Sequence, residues 1–272
     1  MPNAPPQETL VLNAQDLVLQ ALPTLQIGPG HTTSSAIHKV SFTGKMRPWD
    51  NFVSDVESLC NAFQWKGNRV ANTDSAPLPH HLSREQISVG DETGAQGRFH
   101  QNVGQVMGGV FLSEGLDIKF GDFKSCVLDE VYNRVPDSVM RRAAGSPLAV
   151  GEMKSPWVSS HRIRDTLLAG KEFMFRRLIG QIARYMRDLK LKYAYLSNYE
   201  EAMFFCQNDP LGAHQTELLY SDVIDFSNRA VTGSSVTIRQ CFFYVGVCAA
   251  QQPNHTTSES RTTGWVKDMV MK

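Results

Sequence analysis

The sequence has no net charge, 27 lysines and arginines being matched by 27 aspartates and glutamates. A dedicated nucleic-acid binder is commonly basic, so the balance argues against that class unless the basic residues are gathered in one segment. Long apolar runs are also missing. No stretch approaches the roughly 18 apolar residues of a membrane span. The opening MPNAPPQETLVLNAQDLVLQ has neither the basic start nor the apolar core of a signal peptide. The expected setting is intracellular, cytoplasmic or nuclear, with no membrane partner. Cysteine is sparse and scattered, at 60, 126, 206, 241 and 248 with no CxxC pair. That argues against a disulfide framework or a zinc site and fits small core thiols in a reducing compartment. GxSxG and HExxH do not occur, and GPGHTT at 28–33 lacks the lysine and following apolar helix of a phosphate loop. His80 and His81 stand in a Pro-flanked stretch and read as surface. No feature of the sequence specifies an oligomeric state.

What is present is an ordinary globular composition, 42% apolar and 20% charged over 272 residues, enough for a large core. Residues 1–35 read as an arm with a short amphipathic stretch, Leu17 to Leu25. A strand in IHKVSFTG and a helix in RPWDNFVSDVESLCNAF follow, then a long loop over 66–95. From 96 the signals strengthen. Phe99, Val103, Val106, Met107, Val110 and Phe111 make a helical stripe that stops at Gly115. Strands are expected in DIKFGDF, in KSCVLDEVYNRVPDSVM with a turn inside it, and in PLAVGEMK. One long helix is expected over 172–189, then strands in KYAYLSN, EAMFFCQ and TELLYSDVI. VTIRQCFFYVGVCAAQ reads as a closing helix. The order gives an α/β fold, a mixed sheet covered by helices. It divides into an N-terminal arm and helical extension (1–95), a core (96–250) and a polar, loose tail (251–272).

The chemistry centres on SPLAVGEMKSPW, residues 146–157. Positions i and i+2 of a strand share a face, so Glu152 and Lys154 stand side by side. Asp137, behind Pro136, lies one hairpin earlier and can converge on the same sheet end. Two carboxylates and an ammonium suit a hard divalent cation, Mg²⁺ or Mn²⁺, bound together with phosphate oxygens. The plainer alternative is a salt bridge at a sheet edge, with Lys154 at the strand end a modest stabiliser. Between Arg141 and Lys192 twelve Lys or Arg face four Asp or Glu. That local excess points to an anionic partner, nucleic acid, or to a solvated helix face with Arg177, Arg184 and Arg187 at exposed spacing. Trp157 is a candidate to stack on a base, or a packing residue.

PD at 136–137, GEMK at 151–154 and the helix GQIARYM resemble the signature of the PD-(D/E)XK nuclease superfamily, the restriction-endonuclease-like fold. The wider text, RFHQNVGQVM, LDIKFGDFKSCVL, VPDSVM, VGEMKSPW, LIGQIARYM and KYAYLSNYEEAMFF, is similar to a fungal group placed in that superfamily, across roughly 96–250. The resemblance implies a central mixed sheet flanked by helices and metal-dependent hydrolysis of DNA or RNA. It implies Asp137, Glu152 and the Met153 carbonyl as metal ligands, Lys154 as the catalytic lysine, and Gln181 orienting water or phosphate. Arg177, Arg184 and Trp157 would contact substrate. Many superfamily members add a carboxylate from the helix before the sheet, and none stands between Gly97 and Ser113. His100, Gln101 and Gln105 occupy that helix, Glu114 lies at its end and Glu57 on another. A silent member binding nucleic acid or a protein, or a cleft turned to a small-molecule reaction, are the alternatives.

Overall fold

The computed structural model describes residues 9–33, 40–74, 84–128, 130–168, 170–210, 215–254 and 262–269. In chain order these form β1 (Thr9–Asn13), α1 (Ala14–Val18), β2 (Gln26–Ile27), β3 (Val40–Phe42), β4 (Lys45–Pro48), α2 (Phe52–Ala62), β5 (Arg69–Asp74) and β6 (Ser88–Val89). A long helix follows in three parts: α3 (Glu92–Phe99), a π-helical turn (His100–Gln105) and α4 (Val106–Glu114). The second half holds β7 (Lys119–Gly121), β8 (Ser138–Arg141), β9 (Pro147–Met153), α5 (Ile163–Thr166), α6 (Glu172–Leu178) and α7 (Gly180–Asp188). It closes with β10 (Tyr193–Ser197), β11 (Glu201–Asn208), β12 (Glu217–Tyr220), β13 (Ile224–Asp225), α8 (Ile238–Gln251) and β14 (Val266–Asp268).

The apolar strands assemble into one eight-stranded mixed sheet, ordered β4-β12-β11-β10-β9-β8-β7, with β13 also on β11. β10 runs parallel to β9, a pairing that needs a long crossover, and α5 to α7 supply it. Strand side chains alternate between two cores, as a doubly covered sheet requires. Tyr193, Tyr195, Ala202 and Phe204 enter one core with α1, α2, α4 and α8. Ala194, Leu196, Met203 and Phe205 enter the other with α6 and α7. The expected mixed α/β architecture is therefore present.

Several elements depart from the sequence reading. The loop expected over 66–95 contains β5, paired antiparallel with β1, then β6 and the start of α3; His80 and His81 lie outside the described residues. No strand forms in the described part of 126–136, where Val127, Val131 and Val135 are exposed and Pro136 has no N–H to give a ladder. The helix expected over 172–189 breaks at Ile179, because α7 starts against the backbone of β3. A Cβ on Gly180 would lie 2.5 Å from the Val40 carbonyl oxygen. The closing segment is helical, started by a capping box between Thr237 and Gln240. Residues beyond 251, expected as a loose tail, instead supply β14, which pairs with β3, and Trp265, which is buried in the second core. No described helix is long and apolar enough to cross a membrane.

Candidate active site

β9 is buried from Leu148 to Met153, so its two faces are filled before the strand ends. Gly151 sits under the Tyr195 ring, where a Cβ would lie 2.0 Å from a ring carbon. The missing side chain lets the Tyr195 hydroxyl of β10 donate to Ser138 Oγ of β8 at 2.7 Å, tying those two strands together across β9. Ser138 is in register with Gly151, which sets Asp137 beside Glu152 on the face covered by α7. Asp137 Oδ2 accepts the Met153 N–H at 2.8 Å. Lys154 Nζ donates to Glu152 Oε1 at 2.6 Å and to the Met153 carbonyl at 2.9 Å.

The side chains of Lys154 and Glu152 are 4% and 2% exposed, so this is a buried pair and not an edge salt bridge. The sequence expectation that Lys154 is only a modest stabiliser is thereby corrected. Removing one partner of such a pair strands the other charge, typically at roughly 3–5 kcal/mol. Burial opposes the ammonium, but Glu152 and Glu92 outweigh it and lift Lys154 above its ordinary pKa. Burial and then the neighbouring Glu152 push Asp137 up to about 7, against the pull of the Met153 N–H and Lys154.

Glu92 is the group that sequence reasoning missed. Starting the helix at 96 hid it, whereas α3 begins at Glu92, with Asp91 as N-cap accepting the Gly94 N–H at 2.7 Å. The signal was present as an N-cap aspartate before an acidic first turn, but Gly94 and Gly97 weakened the helical pattern. One turn later Gln96 Nε2 donates to the Asp137 carbonyl, so this face of α3 is held against the site. Glu92 raises the pKa of both Asp137 and Lys154. The acids weighed from sequence are engaged elsewhere: Glu114 accepts the Lys66 N–H at 2.9 Å and Glu57 the Gly233 N–H at 2.8 Å.

From the other side α7 presents Gln181, half-buried, whose Nε2 donates to the Tyr185 hydroxyl. Burial and then Glu152 push the Tyr185 phenol above its ordinary value, and Asp137 adds to this. Gln181 Oε1 is buried with no hydrogen-bond partner among the described residues.

The substrate-contact residues expected from sequence are distributed differently. Arg184, expected at an exposed position, is buried and donates to Asp268 of β14 at 2.6 Å. Arg187 pairs with Asp188 at 2.6 Å. Trp157 packs against the first core, with its ring edge-on to His31 at 5.6 Å. Arg177 is half-buried, and its guanidinium lies over the Phe173 ring.

Among the described residues no group of three or more His, Cys, Asp or Glu side chains is arranged to hold a metal ion. The Met153 carbonyl, expected as a ligand, accepts from Lys154 instead. The donor chemistry is nonetheless one that a hard cation takes, since Asp137, Glu152 and Glu92 supply only oxygen.

No family model matches the chain, and no curated protein does. Among solved structures the chain is similar to the type IIG restriction endonuclease BpuSI, at 17% identity and a TM-score of 0.22. The match covers 58% of this chain and 15% of that one, so the chain corresponds to a small part of that enzyme's length.

Proposed function

We propose that this cluster hydrolyses phosphodiester bonds of DNA or RNA with Mg²⁺ or Mn²⁺. The observation that carries the reading is the pairing of Asp137 with Glu152 at one sheet end, with Lys154 donating to Glu152 at 2.6 Å and Asp137 accepting the Met153 N–H at 2.8 Å. Asp137 and Glu152 would hold the cation, with Glu92 adding negative charge nearby. Once bound it would lower the pKa of a water and neutralise phosphate charge. Lys154, held by Glu152, would stabilise the charge that builds on the phosphate. Gln181 Oε1, which has no hydrogen-bond partner among the described residues, would accept from a water and orient it.

The test is cleavage of single- and double-stranded DNA and RNA by the purified protein in Mg²⁺ or Mn²⁺. Asp137→Asn and Glu152→Gln are expected to lower the rate by about two orders of magnitude or more, the scale of losing one positioned group, with the fold checked by circular dichroism. A wild-type chain that cuts none of them overturns the reading. A second reading, a silent binder on the same scaffold, is favoured by the Lys154 ammonium lying clamped between Glu152 and the Met153 carbonyl. Salt-dependent binding without cleavage is its expected signature.

A further inference from the structure

The connection from the strand carrying Glu152 and Lys154 to the helix carrying Gln181 exposes apolar surface. Leu167 is 40% exposed, Leu168 55% and Phe173 55%. Three large side chains within seven residues of one segment exceed the scattered exposure of an ordinary surface. The cations around them separate into two groups. Arg164 pairs with Glu201, Arg176 with Glu172, Arg184 with Asp268 and Arg187 with Asp188. Lys171, next to α6, and Arg177, one turn before Gln181, enter no ion pair among the described residues. Arg177 has a buried Nε without a hydrogen-bond partner, and its guanidinium carbon lies 5.7 Å from the Phe173 ring centroid. The result is an exposed aromatic face backed by a cation and flanked by a second one.

That combination fits a base better than it fits a duplex. A double helix keeps its base faces stacked, so an exposed phenyl ring reaches only a thymine methyl or a step that must first be unstacked. An unpaired base offers a π-face, and the adjoining phosphate meets the guanidinium. We propose that Phe173 and Arg177 form a stacking clamp that selects unpaired nucleic acid, a single strand or a frayed end, and leads its backbone toward Gln181 and the carboxylates. This rests on the reading of the cluster as a phosphodiesterase and names its substrate as single-stranded.

The test uses the full chain with Ca²⁺ replacing Mg²⁺, and measures affinity for an oligothymidylate and for a duplex of equal length. The wild type is expected to favour the single strand. Phe173→Ala and Arg177→Gln are each expected to weaken single-strand binding by about tenfold, in the range of one lost base–aromatic stack, and to leave duplex binding unchanged. Phe173→Trp should restore binding, with its fluorescence quenched by the stacked base. Since Phe173 is exposed, its loss leaves the fold intact, which thermal melting checks. Single-strand binding within twofold of wild type in both variants overturns the clamp and leaves the patch to a protein partner, as does a wild-type preference for duplex. If Asp137-dependent cleavage persists in that case, the phosphodiesterase reading stands and only the clamp falls. A wild type that neither binds nor cuts nucleic acid removes both.

Discussion

Asp137 accepts one backbone N–H and stands beside Glu152 and Glu92, so its ionisation sets three carboxylates against one ammonium. In the unfolded chain it titrates near 3.8 and in the folded one at about 7. Between those values the native state binds the extra proton, and linkage makes stability fall as pH rises through the window. Asp137→Asn keeps an oxygen to accept the Met153 N–H and removes the ionisation. In chelator, the variant is expected to melt higher than wild type at pH 8 and close to it at pH 4, as thermal denaturation at the two pH values would reveal. Added Mn²⁺ should reverse the order at pH 8, because only the wild type keeps the full carboxylate set. A pH-independent difference would mean that Asp137 is not the strained group.

At the level of elements, the site is a meeting of three: the β8–β9 hairpin, the start of α3 and the start of α7. Only the hairpin and α7 were legible in the sequence. GEMK and PD stand out because charges interrupt buried strands, and Gln181 because it breaks an apolar stripe. Glu92 was obscured because Gly94 and Gly97 lower local helix propensity, a preference that tertiary contacts override once Ala95, Phe99 and Val103 are buried. The break at Ile179 was likewise invisible, since it depends on how near β3 comes to Gly180. Glu92→Gln, which keeps the size of a side chain whose Oε2 is buried, is expected to weaken Mn²⁺ binding about tenfold or more by calorimetry while the circular dichroism spectrum stays that of the wild type. Unaltered Mn²⁺ affinity would remove α3 from the site.

Over the whole molecule, the alternating apolar strands made the mixed sheet readable, whereas the pairings between distant segments were not. β4 joins β12 and β14 joins β3 across most of the chain, contacts that no local pattern encodes. Trp265 fills the second core against Phe42, at a ring separation of 5.4 Å, and donates to the Thr216 carbonyl at 3.1 Å. Trp265→Ala is expected to cost about 3–5 kcal/mol, the range for emptying a large aromatic site. Asp268→Asn, at a largely exposed partner of Arg184, should barely move stability. Urea denaturation of the two variants gives the comparison. Equal effects would mean that β14 is held by its charge and not by the indole.

The clasp of β14 on β3 also bears on the order of synthesis. Arg184 must wait for Asp268, 84 residues further along, before its charge is matched, and β4 waits for β12 to emerge. Contacts so distant in sequence close late and slow folding. While the chain is still growing on the ribosome, α7 lacks the strand that Arg184 holds. The growing chain therefore carries α7 with a buried guanidinium that nothing yet answers, and the second core stays open on that side until β14 has been made and has docked.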